Sequence, residues 1–201
     1  MEISTPCVAF SDVAPADYFY GPVQDLACRG VISGYGDGTF HPYANTTRAQ
    51  LVKIAVVAFN VPPYLPPEPT FDDVPEDNPF YSYIETAVQA GIISGYGDGT
   101  FRPNNPVTRA QLAKIITAAA GWGQVTPVGA TFADVPAGNV FYPFVQTAVC
   151  HGVISGYTCG DPGQPCDAQG RPYFHPGAFA VRGQIAKIVY NGVLSAPACE
   201  P

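Results

Sequence analysis

Only nine lysines and arginines serve 201 residues, and six of the nine recur as a fixed pair. Arg48 goes with Lys53, Arg109 with Lys114 and Arg182 with Lys187, always five residues apart. Each arginine opens a segment of helical periodicity, so it is expected at a helix N-terminus. The dipole is positive there and the first amides lack partners within the helix. A guanidinium fork beside such amides is a carboxylate or phosphate site. An ion pair with the recurring Asp12, Asp73 and Asp134 is the other open reading. The lysines face another side of the helix and are read as structural. Tyr35, Tyr96 and Tyr157 also recur; they offer a sugar a flat face and a hydroxyl, or pack against a neighbouring unit.

Other chemistry finds little support. Gly36-Asp37-Gly38 lacks the alternating carboxylates and closing glutamate of a calcium loop, so no metal is expected. It also lacks the Gly-Lys-Ser/Thr ending of a nucleotide loop. His41, His151 and His175 have no ligand spacing and read as surface or turn residues. No catalytic triad, zinc motif or carboxylate pair stands out, so neither an enzyme nor a cofactor is expected. The net charge of -7 disfavours phosphate backbones, which excludes nucleic acid as a partner. No apolar run is long enough to span a membrane. Asn45-Thr46-Thr47 has the form of a glycosylation sequon.

The elements that position these residues come in three copies. Ile32 to Phe40 recurs as Ile93 to Phe101, an offset of 61 residues, and an altered copy starts at Ile154. Each copy begins Phe-x-Asp-Val at Phe10, Phe71 and Phe132. Helix A is expected to start at the N-caps Asp17, Asn78 and Asn139, with Pro79 at the first helical position. Val23 and Leu26, Ile84 and Ala87, and Val145 and Ala148 mark its buried face. Gly30, Gly91 and Gly152 close it. After the glycine-rich turn and a proline, helix B starts at Thr47-Arg-Ala-Gln50 and Thr108-Arg-Ala-Gln111. Both read as capping boxes. In the third copy Val181 replaces the threonine, and that helix start should be less well satisfied. The first linker, Asn60 to Thr70, is proline-rich and should be extended. The second, Gly121 to Thr131, is looser.

Arg182 lies 73 residues after Arg109, so the third copy carries an insertion of twelve between its helices. Cys159 and Cys166 flank this insertion and should be bonded to each other. The other four cysteines allow three pairings. Cys7–Cys28 with Cys150–Cys199 is expected, tying each chain end to its adjacent helix; a Cys28–Cys150 link between units is the alternative. Six cysteines argue for an oxidising, extracellular setting. No leader segment is read at Met1-Glu2-Ile3, so a mature form, a fragment or a chain that is not exported is expected.

Taken together, Phe-x-Asp-Val, the aromatic helix A, Ile-Ser-Gly-Tyr-x-Asp-Gly-Thr-Phe and Thr-Arg-Ala-Gln resemble the S-layer homology (SLH) domain. The resemblance covers nearly the whole chain as three tandem copies, residues 8–62, 69–123 and 130–195. It implies an all-α, pseudo-threefold helical bundle with Gly/Pro-rich loops and grooves between units. It also implies non-covalent binding of bacterial cell-wall polysaccharide, often pyruvylated, at the cell surface. The family's binding arginine carries over to Arg48 and Arg109, and more weakly to Arg182 in Val-Arg-Gly-Gln. Gln50, Gln111 and Gln184 replace the family's usual glutamate. The alternative function is a structural subunit that self-associates into an extracellular filament, tube or layer, because three copies leave only short tails.

Overall fold

The computed structural model describes residues 7–125, 127, 129–194 and 199. These residues hold six α-helices: α1 Tyr20–Cys28, α2 Arg48–Ala58, α3 Tyr81–Gln89, α4 Arg109–Ala119, α5 Tyr142–Cys150 and α6 Arg182–Leu194. Extended pairing among the described residues is confined to isolated bridges, so the class is all-α as expected.

The odd-numbered helices start later than the sequence suggests. Asn78 and Asn139 accept the amides of Phe80 and Phe141, both at 2.9 Å, but this closes a turn ahead of the helix. The helices then begin at Tyr81 and Tyr142, behind Phe80 and Phe141, which make no side-chain cap. Pro79 therefore lies in the turn. Asp17 departs further, because its carboxylate takes the Ala14 amide at 2.7 Å. An Asx side chain serves a turn as readily as a helix, and the sequence does not separate the two. The C-termini follow expectation. Gly30, Gly91 and Gly152 have φ of 71°, 71° and 66°. The next amide, from Val31, Ile92 or Val153, returns to Leu26, Ala87 or Ala148, which is a Schellman closure.

Both capping boxes form, Thr47 with Gln50 and Thr108 with Gln111. In the third copy half a box survives, since Gln184 still accepts the Val181 amide at 3.4 Å. The remaining first-turn amides are met from elsewhere in the chain. Arg48 and Ala49 donate to Asn105 and Pro103, Arg109 and Ala110 to Ala178 and Pro176, and Arg182 and Gly183 to Ala44 and Pro42. Each even-numbered helix is thus capped by the loop of the following copy, and the third by the first. A smaller ring repeats this closure: Thr46 donates to Ala180, Ala180 to Val107, and Val107 to Thr46, at 2.9–3.1 Å.

Helices α2, α4 and α6 pack on one another at the centre. Outside them, α3 lies on α2, α5 on α4 and α1 on α6. Leu51, Leu112 and Ile185 fill the middle and are almost wholly inaccessible. The Ser-Gly-Tyr glycines owe their identity to packing, because a Cβ on Gly34, Gly95 or Gly156 would strike the ring of Phe10, Phe71 or Phe132. The linkers are tacked to helices: Thr70 donates twice to the buried carboxylate of Glu85, and Thr131 to the equivalent Gln146. The disulfides are Cys7–Cys28, Cys150–Cys199 and Cys159–Cys166, so the Cys28–Cys150 alternative falls.

Candidate functional site

The arginines at the starts of α2, α4 and α6 each reach into the glycine-rich turn of the following copy. Their Nε atoms donate to the carbonyls of Phe101 (3.0 Å), Phe174 (2.7 Å) and Phe40 (2.7 Å). Nη2 of Arg109 and of Arg182 also donates to Ser155 and Ser33. Each guanidinium lies near two rings, 5.0–5.2 Å from Tyr96, Tyr157 or Tyr35 and 4.4–4.7 Å from Phe101, Phe174 or Phe40. All six residues singled out in the sequence therefore meet, but always across two copies. The tyrosines keep part of their surface; Tyr35 is 47% exposed and Tyr157 39%.

The ion pair with Asp12, Asp73 or Asp134 is not formed. Those carboxylates accept backbone amides instead: Asp12 from Phe40 and His41, Asp73 from Phe101 and Arg102, Asp134 from Phe174 and His175. They shape the turn whose carbonyl the arginine then uses. Among the described residues, Arg29, Arg102 and Arg171 each have a carboxylate within 2.8 Å, whereas no carboxylate lies within 4.0 Å of Arg48, Arg109 or Arg182. Arg48 and Arg109 are only 6% exposed. Burial lowers the pKa of all three below the ordinary arginine value. Guanidinium is so strongly basic that the charge persists. Carbonyls and aromatic faces stabilise it but do not neutralise it.

The fold itself uses most of the helix-terminus amides: loop carbonyls accept the first two of each even-numbered helix, and the Thr47 and Thr108 hydroxyls accept the third in α2 and α4. The lysines pack on rings, with Lys53, Lys114 and Lys187 lying 5.6, 5.7 and 5.2 Å from the centroids of Tyr83, Phe144 and Tyr18. A lysine does face away from the arginine of its own helix, but this turns it toward the arginine of the preceding copy.

Three grooves result. Arg48, Ser94, Tyr96, Gln111, Lys114 and Phe141 line one of about 140 Å³. Arg109, Ser155, Tyr157, Gln184, Lys187 and Tyr18 line one of about 310 Å³. Arg182, Ser33, Gln50, Lys53 and Phe80 line one of about 110 Å³. Every groove draws on all three copies. Sequence reasoning missed the glutamines as groove residues and the aromatic contributed by the third copy; the only signal for them was their recurrence. The turn aspartates serve the turn itself. Asp98 accepts the amide and hydroxyl of Thr100, and with Arg102 this holds its pKa at about 2. His41 and His175 do sit at turns, in left-handed conformations with φ of 56° and 58°.

The S-layer homology family model matches residues 9–52 and 70–113. The chain carries S-layer homology domains. Among its relatives is the surface-layer 125 kDa protein of Lysinibacillus sphaericus, 29% identical over 83% of this chain and 13% of that protein. The cellulosome-anchoring protein of Acetivibrio thermocellus is 28% identical over 78% of this chain and 35% of its own length. Exoglucanase XynX of the same organism is 26% identical over 92% of this chain and 16% of its own length. The chain thus spans about a third or less of each of these relatives. The two SLH matches each hold one arginine-bearing helix start, at Arg48 and Arg109.

Proposed function

We propose that this is a cell-surface protein whose three SLH-type repeats, residues 8–62, 69–123 and 130–195, hold an acidic cell-wall polysaccharide non-covalently. The cyclic hydrogen bonding supports counting residues 130–195 as a third repeat. The observation that carries the function is the charge state of the grooves. Each contains a permanently charged guanidinium with no carboxylate partner among the described residues, buried for Arg48 and Arg109 and half-buried for Arg182, beside a lysine and a tyrosine face. A polysaccharide carboxylate, such as that of a pyruvyl ketal, would supply the missing anion. The tyrosine would take the flank of the sugar ring. The module is an anchor and not a catalyst; names of relatives such as the cellulosome-anchoring protein agree with that role.

Sedimentation with purified cell walls tests the reading. Charge-assisted hydrogen bonds contribute about 1.5–3 kcal/mol, so Arg109→Ala should weaken wall binding tenfold or more per folded molecule. Arg109→Lys should recover only part, because an ammonium has no bidentate fork. Raised salt should weaken the wild-type interaction at the open groove. Wall binding unchanged in single and combined arginine variants would end the proposal.

A further inference from the structure

The three grooves share one plan but differ in size, and the third copy carries a glycine where the other two carry alanine. The even-numbered helices open Arg48-Ala49, Arg109-Ala110 and Arg182-Gly183. A Cβ on Gly183 would stand 2.8 Å from Cδ1 of Phe19 and 3.1 Å from its Cε1. Carbon atoms pack at roughly 3.5–4.0 Å, so Phe19 occupies the place that a methyl group would need. Phe19 is completely buried. Its equivalents Phe80 and Phe141 belong to the elements packed on α2 and α4, where the alanines remain. They stay partly exposed and line the two smaller grooves.

With Phe19 withdrawn, its neighbour Tyr18 forms the wall of the Arg109 groove. Tyr18 is 54% exposed, and Nζ of Lys187 lies 5.2 Å from its ring centroid. The equivalent positions hold Pro79 and Val140, which offer neither an aromatic ring nor a hydroxyl. Sites that enclose a small molecule measure about 300–1,000 Å³. The Arg109 groove, at about 310 Å³, reaches that range; those at about 140 and 110 Å³ do not. It also combines two cations, two tyrosines and Gln184, whose amide donates to the Tyr157 hydroxyl at 3.3 Å.

Resting on the acidic-polysaccharide reading, we infer that the Arg109 groove is the principal saccharide site of this chain and takes one acidic sugar residue. Gly183 sets its size by giving Phe19 somewhere to go. Arg109 and Lys187 receive the carboxylate, and Tyr18 and Tyr157 take the sugar ring and its hydroxyls.

The test is titration of the full chain with a 4,6-pyruvylated methyl hexoside, followed by calorimetry and amide NMR, with its uncharged methyl ester as control. One charged sugar should bind per chain and shift the amides of residues 153–157, while the ester binds at least tenfold more weakly. Tyr18→Val, a surface change, should cost about tenfold, and Gly183→Ala as much or more by returning Phe19 to the groove. Arg48→Ala and Arg182→Ala, which act on the two smaller grooves, should each cost less than Arg109→Ala. Should Gly183→Ala fail to fold, Tyr18→Val and the shift map decide alone. Shifts centred on residues 92–96 or 31–35, or equal losses from all three arginine variants, would overturn the assignment and leave the acidic-saccharide reading standing. Binding of whole cell-wall polysaccharide but not of the hexoside would overturn the single-residue site. Wild type that binds neither would overturn both.

Discussion

At the scale of single residues, the groove arginines serve the fold as well as the candidate site. Arg109 satisfies the carbonyls of Phe174 and Ser155. Arg109→Ala would strand the Phe174 carbonyl, and an unsatisfied buried acceptor costs about 1–3 kcal/mol. Denaturant unfolding should show that loss, and this is why wall binding must be measured per folded molecule. A variant as stable as wild type would mean that water replaces the guanidinium at no cost. Two aspartates make a separate prediction. Burial works to raise the pKa of Asp12, but the amides of Phe40 and His41 prevail and hold it low. Asp98 is held at about 2, by the Thr100 hydroxyl and then by Arg102. Both folded values lie below the unfolded value of about 3.9. Their stabilisation is therefore complete above that pH and is lost as pH falls through the folded values. Melting temperature should drop below about pH 4, and Asp12→Asn should flatten the drop.

At the scale of elements, caps and disulfides do different work. The Thr108 hydroxyl accepts the Gln111 amide, and Thr108→Ala should cost about 0.5–2 kcal/mol. The equivalent exchange has already occurred at Val181, where only the Gln184 half of the box remains. The disulfides close loops with separations of 49, 21 and 7 residues. Chain entropy ranks their contributions in that order, at about 4, 3 and 2–3 kcal/mol. Pairwise Cys→Ser variants should rank the same way in denaturant midpoint. A largest loss from the Cys159–Cys166 pair would show that this loop shapes the Tyr157 turn in the native state. That outcome has a structural route, because Tyr157 and Tyr173 exchange backbone hydrogen bonds across the insertion.

At the scale of the whole molecule, closure matters most. The first copy's Arg48 depends on the second copy's Phe101, the second's Arg109 on the third's Phe174, and the third's Arg182 on the first's Phe40. Helix α1 packs on α6, so the first and last helices are adjacent. Unfolding should therefore be a single cooperative transition. A chain cut after residue 125 keeps both matched SLH domains but loses the partners of Arg109, Ala110 and Thr46. Hydrogen exchange in α4 should rise sharply in that truncated chain relative to the full one. Unchanged protection there would show that the first two copies form a self-sufficient unit.

The sequence by itself determined the local features. Capping boxes, Schellman glycines and the buried helix faces are written in neighbouring residues, because each rests on contacts within four or five positions, and the 61-residue period repeats them. The Cys159–Cys166 bond was legible for the same reason. Identity of the site residues was legible too, since few cations repeated at fixed places. What they touch was not. Arg48 and Phe101 are 53 residues apart and Arg182 and Phe40 are 142, so no local pattern records their meeting. Asp12 and Arg48 repeat together, which suggested an ion pair; Asp12 instead shapes the turn whose carbonyl Arg182 uses. The lysines were set aside because they face away from their own arginine, and only cyclic closure turns them toward another. In the sequence, Gly183 was only part of a weaker match, Val-Arg-Gly-Gln. Only packing shows that Phe19 stands where a methyl group at position 183 would be.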